Sequence, residues 1–513
     1  MQRPARLAGA VFLFLVLLAT GLYLALAWRF HGSPVDDAFI TFRYAWNLAE
    51  GHGWVFNPGE RVEGYVHPLW IALLAAVRLV SGVPPDRAAP PIGLALGAGT
   101  ILLLASTAVR LRGRAEPGAA AAPLLCALSL PFLVWTTAGL ETALFCFLLL
   151  LTIRLWLAAR DRPAVTVAAV AWPLSALALG LTRPEGLFLP LVLLPARRPG
   201  RREAVALLLL VGLGAAWMAW RVSYYGHLLP NVFYAKHSAR YELGAYLTLG
   251  WRYVSGFLLF RDELLQCVPR PWSTVAGAGL CLLAALGVVT RRGALARVGL
   301  FLALFLGVVA WEGGDWMPGR RFLVPMITLV ALLAGEAFAA GRSWLLRAPA
   351  WLLAGFVLLH HWINLNLHAG RLPDDYARSW FRQRDYYDDA VAWARRNIAA
   401  GSTVILGDMG HIPYFTPDVR YVDQLGLLDE AVAHLPLGSA DPGYLPYLLG
   451  RRPQFVISIQ TIREAGGAAW GHTPFDELML RDAGLARLFE PVADLPGWRE
   501  QGVVKYFRVY RRR

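Results

Sequence analysis

The chain has 513 residues, of which 57% are hydrophobic and only 16% charged, against about 25% charged in a soluble globular protein; a wholly water-soluble enzyme is excluded. The formal charge of +14 is carried mainly by short arginine clusters between apolar runs (Arg110, Arg112, Arg114; Arg160, Arg162; Arg197, Arg198, Arg201, Arg202; Arg291, Arg292). No nucleic-acid recognition motif accompanies them, so the excess reads as the positive-inside bias of a membrane protein and no nucleic-acid partner is expected.

A helical crossing needs roughly 20 mostly apolar residues. Such runs are predicted over residues 7–28, 91–109, 119–137, 140–159, 164–181, 186–196, 203–222, 272–290, 295–311, 321–340 and 346–366. The opening run is too long for a signal-peptide core and reads as an uncleaved first helix. The apolar run 68–80 is short and contains Arg78. Taken as a full crossing it would put the later arginine clusters on the outside, so it is expected to dip into the membrane or lie along it.

The sum is about eleven transmembrane helices over residues 1–366, in a multi-pass inner or plasma membrane protein. Residues 367–513 are more polar and alternate between helix and strand patterns. The predicted pieces are a helix over 386–398 and strands over 403–406, 419–422, 454–459 and 505–510, an extracytoplasmic α/β layer domain. The cysteines have neither metal-site nor disulfide-framework spacing; only a Cys267–Cys281 bridge is conceivable.

With the arginine clusters inside, the motif-bearing loops converge on the opposite face. The first, 29–67, carries Asp36 and Asp37 just past the first helix. Carboxylates near a bilayer are costly, and two compatible readings are open: a base that deprotonates an acceptor hydroxyl, or caps of the helix AFITFRYAWNLAE. The loop adds Arg43, Glu63 and His67 as polar groups for a substrate. His67 is either a proton shuttle or phosphate contact, or an ordinary interfacial histidine.

Further along, AGLET supplies Glu141 and TRPEG supplies Arg183 and Glu185; Arg183 either grips a phosphate or pairs with Glu185. The segment YYGHLLPNVFYAK offers Asn231, Tyr234 and Lys236. WEGGDWMPGRR places Asp315, Arg320 and Arg321 outside, against the positive-inside trend, and a phosphate there would explain it. In the tail, Asp408 and His411 of GDMGHIPYF follow a strand, where a cleft or a simple turn both fit.

Taken in order, the first loop, TRPEG, YYGHLLPNVFYAK, GGDWMPGRRFLVP, and GDMGHIPYF with YVDQLGLLD resemble the mycobacterial terminal arabinofuranosyltransferases and their bacterial homologues, GT-C membrane glycosyltransferases. The likeness runs from about residue 30 to about residue 430. It implies a polyprenyl-phosphate sugar donor, typically decaprenyl-phosphoryl-arabinofuranose, and an extracytoplasmic glycan or glycoprotein acceptor. Asp36 and Asp37 match the family's catalytic acidic pair. Val66, His67 and Val232 stand where small hydroxyl residues are expected, which leaves the sugar and acceptor open.

The expected reaction uses a carboxylate of that pair as base, with Arg183, Lys236, Arg320 and Arg321 neutralising the leaving phosphate. No cofactor is required, although an acidic pair can bind a divalent metal. A lipid-linked glycolipid flippase and a non-catalytic cell-envelope scaffold are the alternatives.

Overall fold

The computed structural model describes residues 2–31, 34–160, 167–194, 201–238, 243–261, 268–290, 293–337, 344–371, 383–500 and 502–513. Arg162, Arg197, Arg198, Arg291, Arg292 and Cys267 lie outside these residues. Cys281 is a free thiol.

The chain opens with α1 (Gln2–Ala27), α2 (Asp36–Ala49), α3 (Pro68–Ser81), α4 (Pro85–Arg112), α5 (Ala121–Ala127), α6 (Leu130–Trp135), α7 (Thr142–Arg160), α8 (Val167–Gly180) and α9 (Phe188–Leu193). It continues with α10 (Arg201–Tyr225), α11 (Asn231–Ser238), α12 (Leu243–Leu258), α13 (Arg270–Thr290), α14 (Ala294–Trp311), α15 (Val324–Ala337) and α16 (Trp344–Arg371). Six of the described helices are long and apolar enough to cross a membrane: Ala5–Phe30, Pro85–Arg112, Thr142–Arg160, Leu207–Tyr225, Arg270–Val289 and Ala294–Trp311. Shorter apolar helices occupy most of the other expected positions.

Two segments depart from expectation. The run 119–137 is not one helix: it breaks between Ala127 and Leu130. Pro131 has no N–H to bond to the Ala127 carbonyl, and its ring would collide with that carbonyl in a continuous helix. The stretch from Tyr224 to Ser273, expected as a loop, contains α11 and α12.

At 14 residues, α3 is about 21 Å long and falls short of a 30 Å core. It runs beside α2 in the same direction and is tied to it at both ends. Thr41 Oγ1 meets His67 Nε2 at 2.7 Å, and Arg78 Nη2 meets Glu50 Oε1 at 2.5 Å. The two helices therefore form a pair lying on one face of the bundle, as the charge pattern of the loops required.

After α17 (Gln383–Asn397), the tail is built on a sheet of β1 (Thr403–Leu406), β2 (Arg420–Asp423), β3 (Phe455–Arg463), β4 (Trp470–Gly471), β5 (Phe489–Glu500) and β6 (Val503–Arg512). Its order is β2-β1-β3-β6-β5, with β4 beside β3. β1 is parallel to both neighbours, and the rest is antiparallel. This is the expected α/β layer, with the hairpin strand β5 unforeseen because Pro491, Pro496 and Gly497 mask its alternation.

One apolar core runs through both parts. Phe39 of α2 packs on the His411 ring at 4.4 Å and the Tyr414 ring at 5.5 Å, both on α18 (His411–Phe415). Two residues expected at a substrate hold this junction together instead. Arg43 is buried and donates to the carbonyls of Phe56 (2.9 Å), Val419 (3.2 Å) and Pro413; a guanidinium with three carbonyl acceptors is a strut. Glu63 receives Arg221 Nε at 2.6 and 2.7 Å, with side chains 5% and 6% exposed. Replacing Arg221 with Leu leaves a buried carboxylate without its cation, a cost of about 3–5 kcal/mol, read as a lower melting midpoint. An unchanged midpoint would mean that water reaches Glu63.

Candidate active site

Asp36 and Asp37 are the first two residues of α2, where carboxylates favour the helix dipole; the N-cap itself is Val35, so the capping expectation is off by one residue. Successive helix positions point about 100° apart, and the two carboxylates have separate surroundings. Asp36 accepts the backbone N–H groups of Gly410 (3.1 Å) and His411 (2.7 Å). A Cβ on residue 410 would fall 1.9 Å from the Asp36 carbonyl oxygen, so only glycine permits this approach. Asp36 joins the first loop to the tail.

Asp37 turns to the opposite side, 4.0 Å from Arg321 Nη1, and its side chain remains 38% exposed. Burial raises its pKa, as do Asp315 and Asp408, while Arg321 and Lys236 act to lower it. It is a carboxylate open to a substrate and set among cations.

Arg320 adopts φ 52°, a left-handed conformation that is uncommon for a side-chain-bearing residue. This twist separates the two arginines. Arg321 turns toward Asp315 (2.8 Å) and Asp37. Arg320 turns away over the Tyr253 ring, at 4.9 Å, and lines an apolar crevice with Phe257, Leu258, Leu280, Ile327 and Val330.

Phe322 is the hub on the inner side. Arg183 lies 4.5 Å above its ring, Arg321 5.0 Å and Lys236 5.6 Å. Arg183 is buried and pairs with Glu185 at 2.7 Å, with Glu141 at 4.0 Å, so the pairing reading of TRPEG is the geometry observed. Its Nη1 has no hydrogen-bond acceptor among the described residues. Lys236 is exposed and makes no carboxylate ion pair among the described residues.

Glu141 is 3.7 Å from His67 Nδ1. Burial raises the Glu141 pKa, but His67, Arg183 and Arg321 outweigh it and hold the group below the usual range. Burial also lowers His67. Glu312, not among the expected ligands, is pushed up to about 7 by burial and by Glu185, against the pull of Arg183 and Lys236.

Sequence motifs far apart in the chain thus meet: Asp36, Asp37, His67, Glu141, Arg183, Glu185, Lys236, Asp315, Arg321 and Asp408. Asp408 receives the Tyr387 hydroxyl at 2.5 Å and acts electrostatically on both aspartates. Other expected ligands are occupied elsewhere. His411 contributes its backbone N–H, while its ring is buried against Phe39 and Tyr387. Asn231 donates to the carbonyls of Gly426 (2.7 Å) and Leu427 (2.9 Å), fixing α11 to the tail. The Tyr234 ring packs 4.4 Å from His434.

Gly410, Tyr387 and Phe322 were not anticipated. A glycine two residues after a strand-end aspartate, and an aromatic beside two arginines, were the available signals. Among the described residues no three His, Cys, Asp or Glu side chains group as metal ligands would.

Comparison with known proteins agrees with this assembly. Residues 376–507 match a family model described as a domain of unknown function, DUF8728. The chain is 30% identical over 423 residues to the terminal β-(1→2)-arabinofuranosyltransferase of Mycobacterium tuberculosis, covering 71% of this chain and 64% of that protein. It is 28% identical over 408 residues to the protein of that name from Corynebacterium glutamicum, covering 69% and 57% respectively. The chain therefore aligns with less than two thirds of the length of these relatives.

Among solved structures, ArnT from Cupriavidus metallidurans in its apo state superposes with a TM-score of 0.62 at 14% identity, over 97% of both chains. The same protein bound to undecaprenyl phosphate gives 0.56 at 12% identity, over 96% of this chain and 97% of that one. The shared fold is the GT-C arrangement.

Proposed function

We propose, with that likeness as the premise, that the chain is a membrane glycosyltransferase. It moves arabinofuranose or a related pentose from a polyprenyl-phosphate donor to an extracytoplasmic glycan or glycoprotein acceptor. The observation that carries the reading is Asp37: a carboxylate with open access, beside Arg321 and within the field of Lys236, two to three residues from the arginine that borders an apolar crevice.

In this scheme the Asp37 carboxylate takes the proton of the acceptor hydroxyl. The hydroxyl oxygen forms the new bond to the sugar's anomeric carbon, and the bond from that carbon to the phosphate oxygen breaks. The electron pair leaves with the polyprenyl phosphate. Lys236 and Arg321 stand where its negative charge develops, the arrangement in which fixed cations lower a barrier most. Arg183 supplies its spare Nη1 while Glu185 holds it in place.

Arg320 is assigned to the crevice mouth, where an isoprenoid chain finds apolar walls. With Asp36 committed to two backbone amides, Asp37 lacks a second free carboxylate with which to share a cation, and side chains take the neutralising role a metal would have. The bundle binds the bilayer, with the site and tail on the extracytoplasmic side.

The test is turnover. The purified chain in lipid nanodiscs is given radiolabelled decaprenyl-phosphoryl-arabinofuranose and an arabinan oligosaccharide, and label should appear in the oligosaccharide. Transfer from a lipid-linked hexose alone would overturn the sugar assignment, and no transfer from any lipid-linked donor would overturn the enzyme.

A further inference from the structure

A second cationic hollow lies at the end of the bundle opposite Asp37. It is a cavity of about 410 Å³ between α1, α4 and α7, lined by Phe12, Ser106, Val109, Arg110, Gly113 and Arg154 among others. Its distance from the first site follows from the rise of a helix, about 1.5 Å per residue. Arg154 is roughly 18 Å along α7 from the end beside Glu141, and Phe12 is roughly 22 Å along α1 from the end beside Asp36. Three helices thus place the hollow about a leaflet's depth or more from the donor-phosphate cations.

None of the described residues lining it is acidic, and its two guanidiniums are held facing the same space. Arg154 Nε donates to Ser106 Oγ at 2.9 Å, and Arg110 Nη2 points to the Leu157 carbonyl at 3.5 Å. Nearby Arg112 differs. It is buried and neutralised by Glu336 (2.8 Å) and Glu116 (3.0 Å), as an arginine serving only to hold helices together would be.

The hollow also continues toward the bilayer interior. Leu102, four residues before Ser106 and hence on the same stripe of α4, is 48% exposed. Leu13 and Phe14 of α1 are 56% and 63% exposed. A paired-arginine pocket that opens onto an apolar strip matches the two halves of a phospholipid.

We propose that this hollow binds the phosphate headgroup of an anionic diacyl phospholipid in the leaflet opposite the catalytic site, with its acyl chains along Leu102 and α1. The assignment stands apart from the proposed reaction. The basic rim grips the phosphate in the manner of basic pockets between membrane helices, and the pocket anchors the register of α1 against α4 and α7.

Native mass spectrometry of the full chain, released from detergent with phosphatidylglycerol or phosphatidylcholine of equal acyl length, tests it. Wild type should retain phosphatidylglycerol about 30-fold more strongly, since each arginine at an anionic headgroup is worth about a factor of five. Arg110→Gln with Arg154→Gln should erase the preference, and Arg154→Lys should keep most of it. Where the double variant fails to fold, Arg154→Gln alone should weaken retention about fivefold. Equal retention of both lipids, or a preference that survives these substitutions, overturns the proposal. Thermal stabilisation by inorganic phosphate without any lipid preference would assign a soluble anion instead and overturns it as well.

Discussion

Asp37→Asn should reduce sugar transfer by about a thousandfold or more, in line with removal of a positioned general base, while the protein elutes and melts like wild type. Asparagine preserves the size of the side chain and cannot accept the hydroxyl proton. The same change at Asp36 should act differently, because that carboxylate accepts two backbone N–H groups of the tail. Asp36→Asn should lower the melting midpoint and leave measurable turnover. Full activity in Asp37→Asn, or an equal total loss in both variants without any change in melting, would remove the division of labour proposed here. The pH profile supplies a second reading of the same group. Burial holds the Asp37 pKa above the ordinary aspartate value, and the base works only when ionised. The rate should therefore rise with pH through that elevated pKa, and this acid limb should be missing from whatever activity Asp37→Asn retains.

Lys236→Met should cost about a hundredfold in kcat, the scale seen when one preorganised donor to a developing anion is removed. The loss should fall on turnover more than on donor KM, because the charge to be stabilised grows as the glycosidic phosphate bond breaks. Lys236 is the informative cation since Arg183 is already matched by Glu185 and Arg321 by Asp315. A donor whose leaving group is more acidic should be transferred with a smaller deficit. If Lys236→Met raises KM alone, the lysine only binds the donor and the leaving-group role is wrong.

The apolar runs and the strand alternation were legible because their period is local. Helix positions α1, α4, α7, α10, α13 and α14 and the strands β1 and β3 follow directly from it. The face on which Asp37 and Arg321 meet was legible too, through the sign asymmetry of the loops. What could not be read was which polar side chains are consumed in holding the loops together. Arg43, Glu63 and Asn231 have the same chemistry as a ligand-binding residue, and only their partners, the carbonyls of Phe56 and Val419, Arg221, and the carbonyl of Gly426, distinguish a strut from a binding group. The split between Arg320 and Arg321 depends on one left-handed residue, for which the sequence offers no Gly or Asn as a signal. The break within 119–137 was signalled by Pro131, and uniform hydrophobicity hid it.

The amides of Gly410 and His411 resting on the Asp36 carboxylate bear on how such proteins can be recombined. A chimera joined near residue 371, with the bundle from one relative and the globular part from another, would bring together two halves shaped by different histories at a contact too tight for a methyl group. A workable graft has to carry the segment from Pro34 to His67 along with its counterpart, so the unit that can be exchanged is discontinuous in the gene.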